Sequence, residues 1–270
     1  MFKTALTADE RLARIRSNLR RFGYLPRLPT GVVTGSVAVC GFGPSLADTR
    51  KDVKKCDAVM TTSGAHDFLI GKGIVPTYHV ELDPREHKVN FVRNSHPDVT
   101  YIINSQCHPK MFEALLPERN VWMWHGFTDD DARNQAMLVD NLSPGGRTMS
   151  GGTNVGMRAI VVARELGLTA FELHGMDCSY RGGEQWAGEH YTKKAYPITV
   201  EVEGQTFETS EQMLQSTEDF FNTMKSLRGC SFRIHGDGLL EARMRVFMRE
   251  FKARQKASWF PYGMPSFKAA

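Results

Sequence analysis

What this chain lacks narrows the field first. No apolar run approaches the roughly 18 residues that a membrane-spanning helix needs, so a helical membrane protein is excluded. The opening stretch MFKTALTADERLARIRSNLRR has no apolar block followed by small residues, so no secretory signal is expected. The 5 cysteines, at positions 40, 56, 107, 178 and 230, never adopt a C-x-x-C spacing. That count and spacing speak against both a disulfide framework and a Cys-rich zinc site, and the expected compartment is a reducing cytoplasm. Basic interleaving is missing as well. Of 34 Lys and Arg against 30 Asp and Glu, the excess lies at the two ends, residues 1–30 and 241–270, and the body between them is mildly acidic. A nucleic-acid binder usually carries its basic face through the fold, so two solvated basic helices are the better reading and a nucleic-acid partner is disfavoured.

What is present is enough apolar material for a substantial core: 41% hydrophobic residues over 270 positions, including 16 Phe, 7 Tyr and 4 Trp. One large domain is expected, with an N-terminal helical arm over 1–30, a main domain over 31–240 and a C-terminal helix and tail over 241–270. Thr7 with Glu10 three residues on reads as a capping box for a helix to Arg21, with Leu12, Ile15 and Leu19 on one stripe. Short apolar runs then follow at 37–40, 57–60, 78–82, 100–103, 121–124 and 170–173. Segments of helical length lie between them, such as Pro109 to Leu116 and Thr153 to Leu166. This is the pattern of βαβ units, so the fold class is α/β, a Rossmann-like, mostly parallel sheet with helices on both faces. Residues 198–208 alternate instead and read as a small β-hairpin; a helix to Leu227, a strand from Ser231 and a helix from Leu239 follow.

In such a fold ligands bind outside the carboxyl ends of the strands, so the residues after each run are the candidates. Gly41, Gly43, Pro44 and Ser45 follow the first run; glycines allow close backbone approach and a helix start favours a phosphate. Pro44 suits a first helical turn. On this reading Gly43→Val should weaken nucleotide binding without unfolding the chain. Ser63 and Asn104 end later runs. Ser150, Gly151, Gly152 and Thr153 lead into the strongest helix and offer a second set of donors. Asp177, after the run at 170–173, could hold a divalent ion, with Asp83 as its partner acid. His190, in a Gly-rich loop, suits a general base. Arg147 and Arg181 flank the two glycine-rich segments and suit the charge of a phosphate.

Together, GFGPSL after the first strand, VELDP after the third, SGGTNVG opening a helix and ELGLTAFELHGMDCSY…GEHY resemble the MptE-like 6-hydroxymethylpterin diphosphokinase family, which includes the motility accessory factor glycosyltransferases. The same GxGPSL and GxD pattern is similar to that of Campylobacter-type sialyltransferases. The resemblance spans roughly residues 32–192. It implies a Rossmann-like transferase that takes a group from a nucleotide donor to a small-molecule hydroxyl. On the diphosphokinase side, ATP with Mg2+ delivers pyrophosphate to a hydroxymethyl group on a pterin-like acceptor. On the sialyltransferase side, a CMP-sugar or other nucleotide sugar is the donor and His190 matches the catalytic histidine. Phe42 stands where the sialyltransferases carry Asn between the two glycines, which weakens a cytidine-specific reading, and VELDP, with Asp83 at a strand end, looks more like the diphosphokinase side. A nucleotide-binding protein without turnover is the third reading, and a homo-oligomer is compatible with all three.

Overall fold

Every apolar run named above is a strand of one sheet. The computed structural model describes residues 5–116, 119–127, 131–188 and 197–257. In chain order the strands are β1 (Ser36–Cys40), β2 (Ala58–Thr62), β3 (Tyr78–Glu81), β4 (Thr100–Asn104), β5 (Asn120–Gly126), β6 (Thr148–Met149), β7 (Ala170–His174), the hairpin β8 (Ile198–Val202) and β9 (Gln205–Thr209), and β10 (Ser231–Ile234). The main sheet has eight strands in the order β10-β7-β1-β2-β3-β4-β5-β6, and every neighbouring pair is parallel. The chain therefore steps outward from β1 to β6, then returns to lay β7 on the other side of β1. That reversal is a topological switch point at the carboxyl ends of β1 and β7, the place where sheets of this kind take their ligands.

The helices are α1 (Ala8–Phe22), α2 (Leu46–Thr49), α3 (Ala65–Ile70), α4 (Pro109–Leu115), α5 (Ala132–Leu142), α6 (Val155–Leu166), α7 (Glu211–Ser226) and α8 (Leu239–Ala257). Strand side chains alternate between the two faces. Val37, Val39, Met60, Val80 and Ile102 pack with α6, α7 and α8. Ala38, Cys40 and Val59 face the other way onto α2 and α3, while Tyr101, Ile103 and Met123 meet α1, α4 and α5. Burial on both faces explains why the strands read as continuous apolar runs.

The N-terminal segment is no free arm. Its capping box forms as the sequence suggests, with Thr7 accepting from the Glu10 amide and Glu10 accepting from the Thr7 amide. Ile15, Leu19 and Phe22 are then buried in the sheet's core, where each contributes about 1.5–3 kcal/mol. Past this helix, Leu28 donates to the Met123 carbonyl at 3.1 Å and Met123 donates to that of Pro26 at 2.8 Å, so the segment shares the outer edge of β5 with β6. The hairpin turns through Glu203 and Gly204, both at positive φ (52° and 77°), the geometry of a two-residue primed turn. Asn154, one residue later than Thr153, caps α6 by accepting from the Met157 amide at 3.0 Å, and Gly167 ends it at φ 110°. All five cysteines are free. No helix among the described residues is long and apolar enough to cross a membrane.

Candidate functional site at the carboxyl edge of the sheet

Three loops close around Asp177. After β1, the Gly41 amide donates to the His174 carbonyl at 2.9 Å and the Gly43 amide to that of Gly175 at 2.8 Å. The Ser45 amide then donates to Asp177 Oδ2 at 3.1 Å. The two glycines are dictated by this approach: a Cβ on Gly41 would lie 2.5 Å from the Gly175 carbonyl oxygen, and one on Gly43 2.1 Å from Asp177 Oδ2. The loop between β10 and α8 seals the third side, where a Cβ on Gly238 would lie 2.6 Å from the Asp177 Cα and the Leu240 amide donates to the Asp177 carbonyl at 3.1 Å. Burial pushes the Asp177 carboxyl upward, although hydrogen bonding from Ser45 and the charge of Arg181 oppose it.

The amides expected to cradle a phosphate at Gly43 and Ser45 thus serve the fold. The helix that follows is only the four-residue α2, and Pro44 precedes its cap rather than entering its first turn. Gly43→Val, expected to weaken nucleotide binding without unfolding the chain, would also strain the fold, because its Cβ would meet the Gly175 carbonyl oxygen at 2.7 Å.

The second glycine-rich segment reaches the same edge. Met176 joins the two: Cβ atoms built on Gly41 and on Gly156, in the first turn of α6, would each lie 2.9 Å from its sulfur. Gly151 and Gly152 take positive φ values of 137° and 79°, which only glycine adopts freely. The buried Arg158 guanidinium ties down the turn by donating to the carbonyls of Gly152, Met149 and Phe127 at 2.9, 2.7 and 2.7 Å. Thr153 donates through its amide and hydroxyl to Asp219 of α7, at 2.9 and 2.6 Å. A carboxylate therefore already occupies donors that the sequence suggested for an anion. Ser150 is exposed beside them.

Further along the edge the strand ends carry polar side chains. Glu81 closes β3, fully buried; its Oε1 accepts from the amides of Leu82 and Asp83 at 2.8 and 3.0 Å, and its Oε2 has no partner among the described residues. Burial raises this carboxyl, with the Lys88 charge opposing. Asn104 closes β4; its Oδ1 accepts from the Gln106 amide at 2.9 Å, and its Nδ2 is unpartnered. The Ser105 hydroxyl and both ring nitrogens of His125 are buried without partners too. Each such group costs about 1–3 kcal/mol. Burial holds His125 down at about 4, with the Arg27 charge adding to it, and holds His174 down at about 3, helped by the neighbouring His235. The His174 and His235 rings stack at 4.2 Å, and His235 shares a 2.6 Å hydrogen bond with Glu172. At the end of β2, Ser63 is held at φ 47°, a strained conformation for a serine.

Asp83 and Asp177 do not come together. They lie in the loops beyond β3 and β7, strands that β1 and β2 separate and that stand three strand spacings, about 14 Å, apart. Asp83 is also paired with Arg85 and, at 3.4 Å, with Lys88. Among the described residues, no three His, Cys, Asp or Glu gather to hold a metal ion. The strand order thus sets the two acids expected to share Mg2+ on separate loops. Arg181 bridges Asp48 and Asp237, and Arg147 reaches Glu165 at 3.5 Å. His190 lies outside the described residues. Ser105 and His125 directly follow the fourth and fifth apolar runs, where the sequence places candidates, whereas Glu81 lies inside the third run and is not marked by that rule. Two ionisable residues inside the run Tyr78-His79-Val80-Glu81, buried throughout, were the available signal.

A parallel sheet with loops gathered at its switch point defines a Rossmann-like α/β protein. The family model described as 6-hydroxymethylpterin diphosphokinase MptE-like matches residues 11–183, and the chain belongs to that family. Family membership supports a transferase-type function. No curated protein matches the chain. Among solved structures, the chain is similar to the MAf glycosyltransferase from Magnetospirillum magneticum AMB-1, with a TM-score of 0.64 and 15% identity. The likeness covers 93% of this chain and 43% of that one, so the chain spans under half the length of this neighbour, and at that identity it establishes the fold.

Proposed function

We propose that this protein moves an activated group from a nucleotide donor to the hydroxyl of a small acceptor, with the donor's phosphates lying at the switch point between β1 and β7. The observation that carries this reading is the closure of three loops on the buried Asp177 at the edge where parallel α/β sheets take their ligands. Gly41, Gly43, Pro44 and Ser45 shape the floor, and Asp177 positions it. Ser63, Asn104 and the Ser150–Thr153 segment line the way outward, and His190 is the base by resemblance.

Within that class, membership of the MptE-like family supports transfer of pyrophosphate from ATP to a hydroxymethyl acceptor, with AMP released. Glycosyl transfer from a nucleotide sugar is the second reading. The separation of Asp83 from Asp177 favours it, because it leaves pyrophosphoryl transfer without a shared acidic seat for its metal. The glycosyltransferase named above shares the fold and points the same way.

Depletion of ATP, CMP-sugars and UDP-sugars, each with and without magnesium and with 6-hydroxymethylpterin as acceptor, tests both readings. AMP formed from ATP and abolished by EDTA is the expected result. Metal-independent release of CMP or UDP would replace the first reading with the second. Nucleotide binding without consumption of any donor would overturn both.

A further inference from the structure

The ends of β3, β4 and β5 hold hydrogen-bonding groups that folding does not use. Glu81 Oε2, Asn104 Nδ2, the Ser105 hydroxyl and the His125 ring nitrogens are all buried, and none has a partner among the described residues. They lie on adjacent strands. Glu81 stands opposite Ile103 and shares its face, Asn104 stands opposite Trp124 on the other face, and the Ser105 amide donates to the Trp124 carbonyl at 2.9 Å, which brings Ser105 beside His125 on the Glu81 side. Asn18 of α1 meets the same place: its Nδ2 donates to the carbonyls of Ser105 and Cys107 at 2.8 Å, and its Oδ1 is unpartnered. Isolated buried polar atoms occur in most folds, but a set gathered at the ligand-binding edge of a parallel sheet asks for a ligand.

We propose that these three strand ends form the acceptor subsite, and that it takes a neutral alcohol carrying both donors and acceptors, held by Glu81 Oε2, the Ser105 hydroxyl and the His125 ring. The inference rests on the transferase reading, and it puts the acceptor across β2 from the donor's place. The unpartnered set offers both hydrogen-bonding senses, a carboxylate oxygen that accepts and a hydroxyl that donates, as a polyhydroxylated or lactam-bearing molecule requires. An anionic acceptor is disfavoured. The buried cation of this neighbourhood, Lys88, is already paired with Asp83, and Glu81 would repel a second negative charge.

Two variants of the full chain test this, with 6-hydroxymethylpterin and N-acetylglucosamine as separate calorimetric probes and ATP and CMP titrated independently. Glu81→Gln keeps an oxygen for the amides of Leu82 and Asp83 and removes the buried charge. It should raise the melting temperature by about 2–4 °C and weaken the binding of whichever probe the wild type takes by at least about tenfold. Nucleotide binding should not change. Ser105→Ala, which only deletes an unpartnered hydroxyl, should fold and weaken the same probe severalfold. The probe that binds identifies the acceptor as heterocycle or sugar. Binding of neither probe to the wild type, undiminished binding in both variants, or a lower melting temperature for Glu81→Gln would overturn the proposal. If the wild type binds a probe as expected but no nucleotide, the transferase reading falls and the subsite stands.

Discussion

The two stretches of the carboxyl edge are built on opposite principles. Around Asp177, the amides of Gly41, Gly43 and Ser45 each have a protein acceptor, and glycines stand where a methyl group would collide with backbone or carboxylate. Two strands away, at the ends of β3 to β5, the backbone is ordinary and it is the side chains that are left unpaired. In the first region, a clamp, the backbone amides are spent on the fold, and the unpartnered atoms there are the Ser45 hydroxyl and His174 Nδ1. The second carries a cost in the free protein that a ligand can relieve. Glycine-rich turns drew attention in the sequence because they are conspicuous, yet here their conspicuousness reports close packing as much as ligand approach.

The sharpest way to break this comparison is to insert bulk into the clamp. Gly43→Val sets a Cβ against both Gly175 and Asp177 and should cost about 3 kcal/mol or more. Urea unfolding measures it. An unchanged midpoint would mean that the clamp yields easily and that the two regions do not differ as described.

The histidines test the contrast through pH. Folded His125 titrates at about 4 against an ordinary value near 6.5, so between those values the unfolded chain binds the proton and the native one does not. Stability should therefore fall as pH drops from 6.5 toward 4, by roughly 3 kcal/mol from this residue once pH is below 4. The depression of His174 to about 3 acts in the same direction and extends the window downward. In His125→Gln the loss between pH 6.5 and 4 should shrink by that amount in paired urea titrations. A slope identical to wild type would show that His125 finds a proton partner in the native protein.

The fold was legible because each strand is a short apolar run bounded by turn residues, and burial on both faces removes the polar alternation that would have blurred it. Capping at Thr7 and termination at Gly167 could be read residue by residue. The two-residue β6 could not, since Thr148 and Met149 carry no periodicity of their own and pair only because β5 runs past them. The site was legible as positions rather than as roles. Gly41, Gly43, Asp177 and Asn104 do stand at strand ends on one edge, but which amide is spent on which carbonyl depends on the neighbouring strand. That neighbour, β7, lies more than a hundred residues away in the chain. Asp83 and Asp177 illustrate the same limit: both are strand-terminal acids, and only the strand order reveals that two strands stand between them.

The smallest effect is expected where the two principles meet, at the lead into α6. There the Asp219 carboxylate takes the amide and hydroxyl protons of Thr153 and also accepts from Gln215 Nε2 at 3.2 Å. Asp219→Ala gives up these exposed hydrogen bonds and should cost no more than about 1 kcal/mol. It also removes a negative charge from donors at a helix start, where an anion is favoured. If this segment serves the donor's phosphates, ATP or CMP should bind severalfold more tightly to the variant than to the wild type, since Asp219 competes for the same protons. Calorimetric titration of both nucleotides decides it. Unchanged affinity with a lowered melting temperature would assign the Thr153–Asp219 pair to folding alone and leave the donor with the clamp around Asp177.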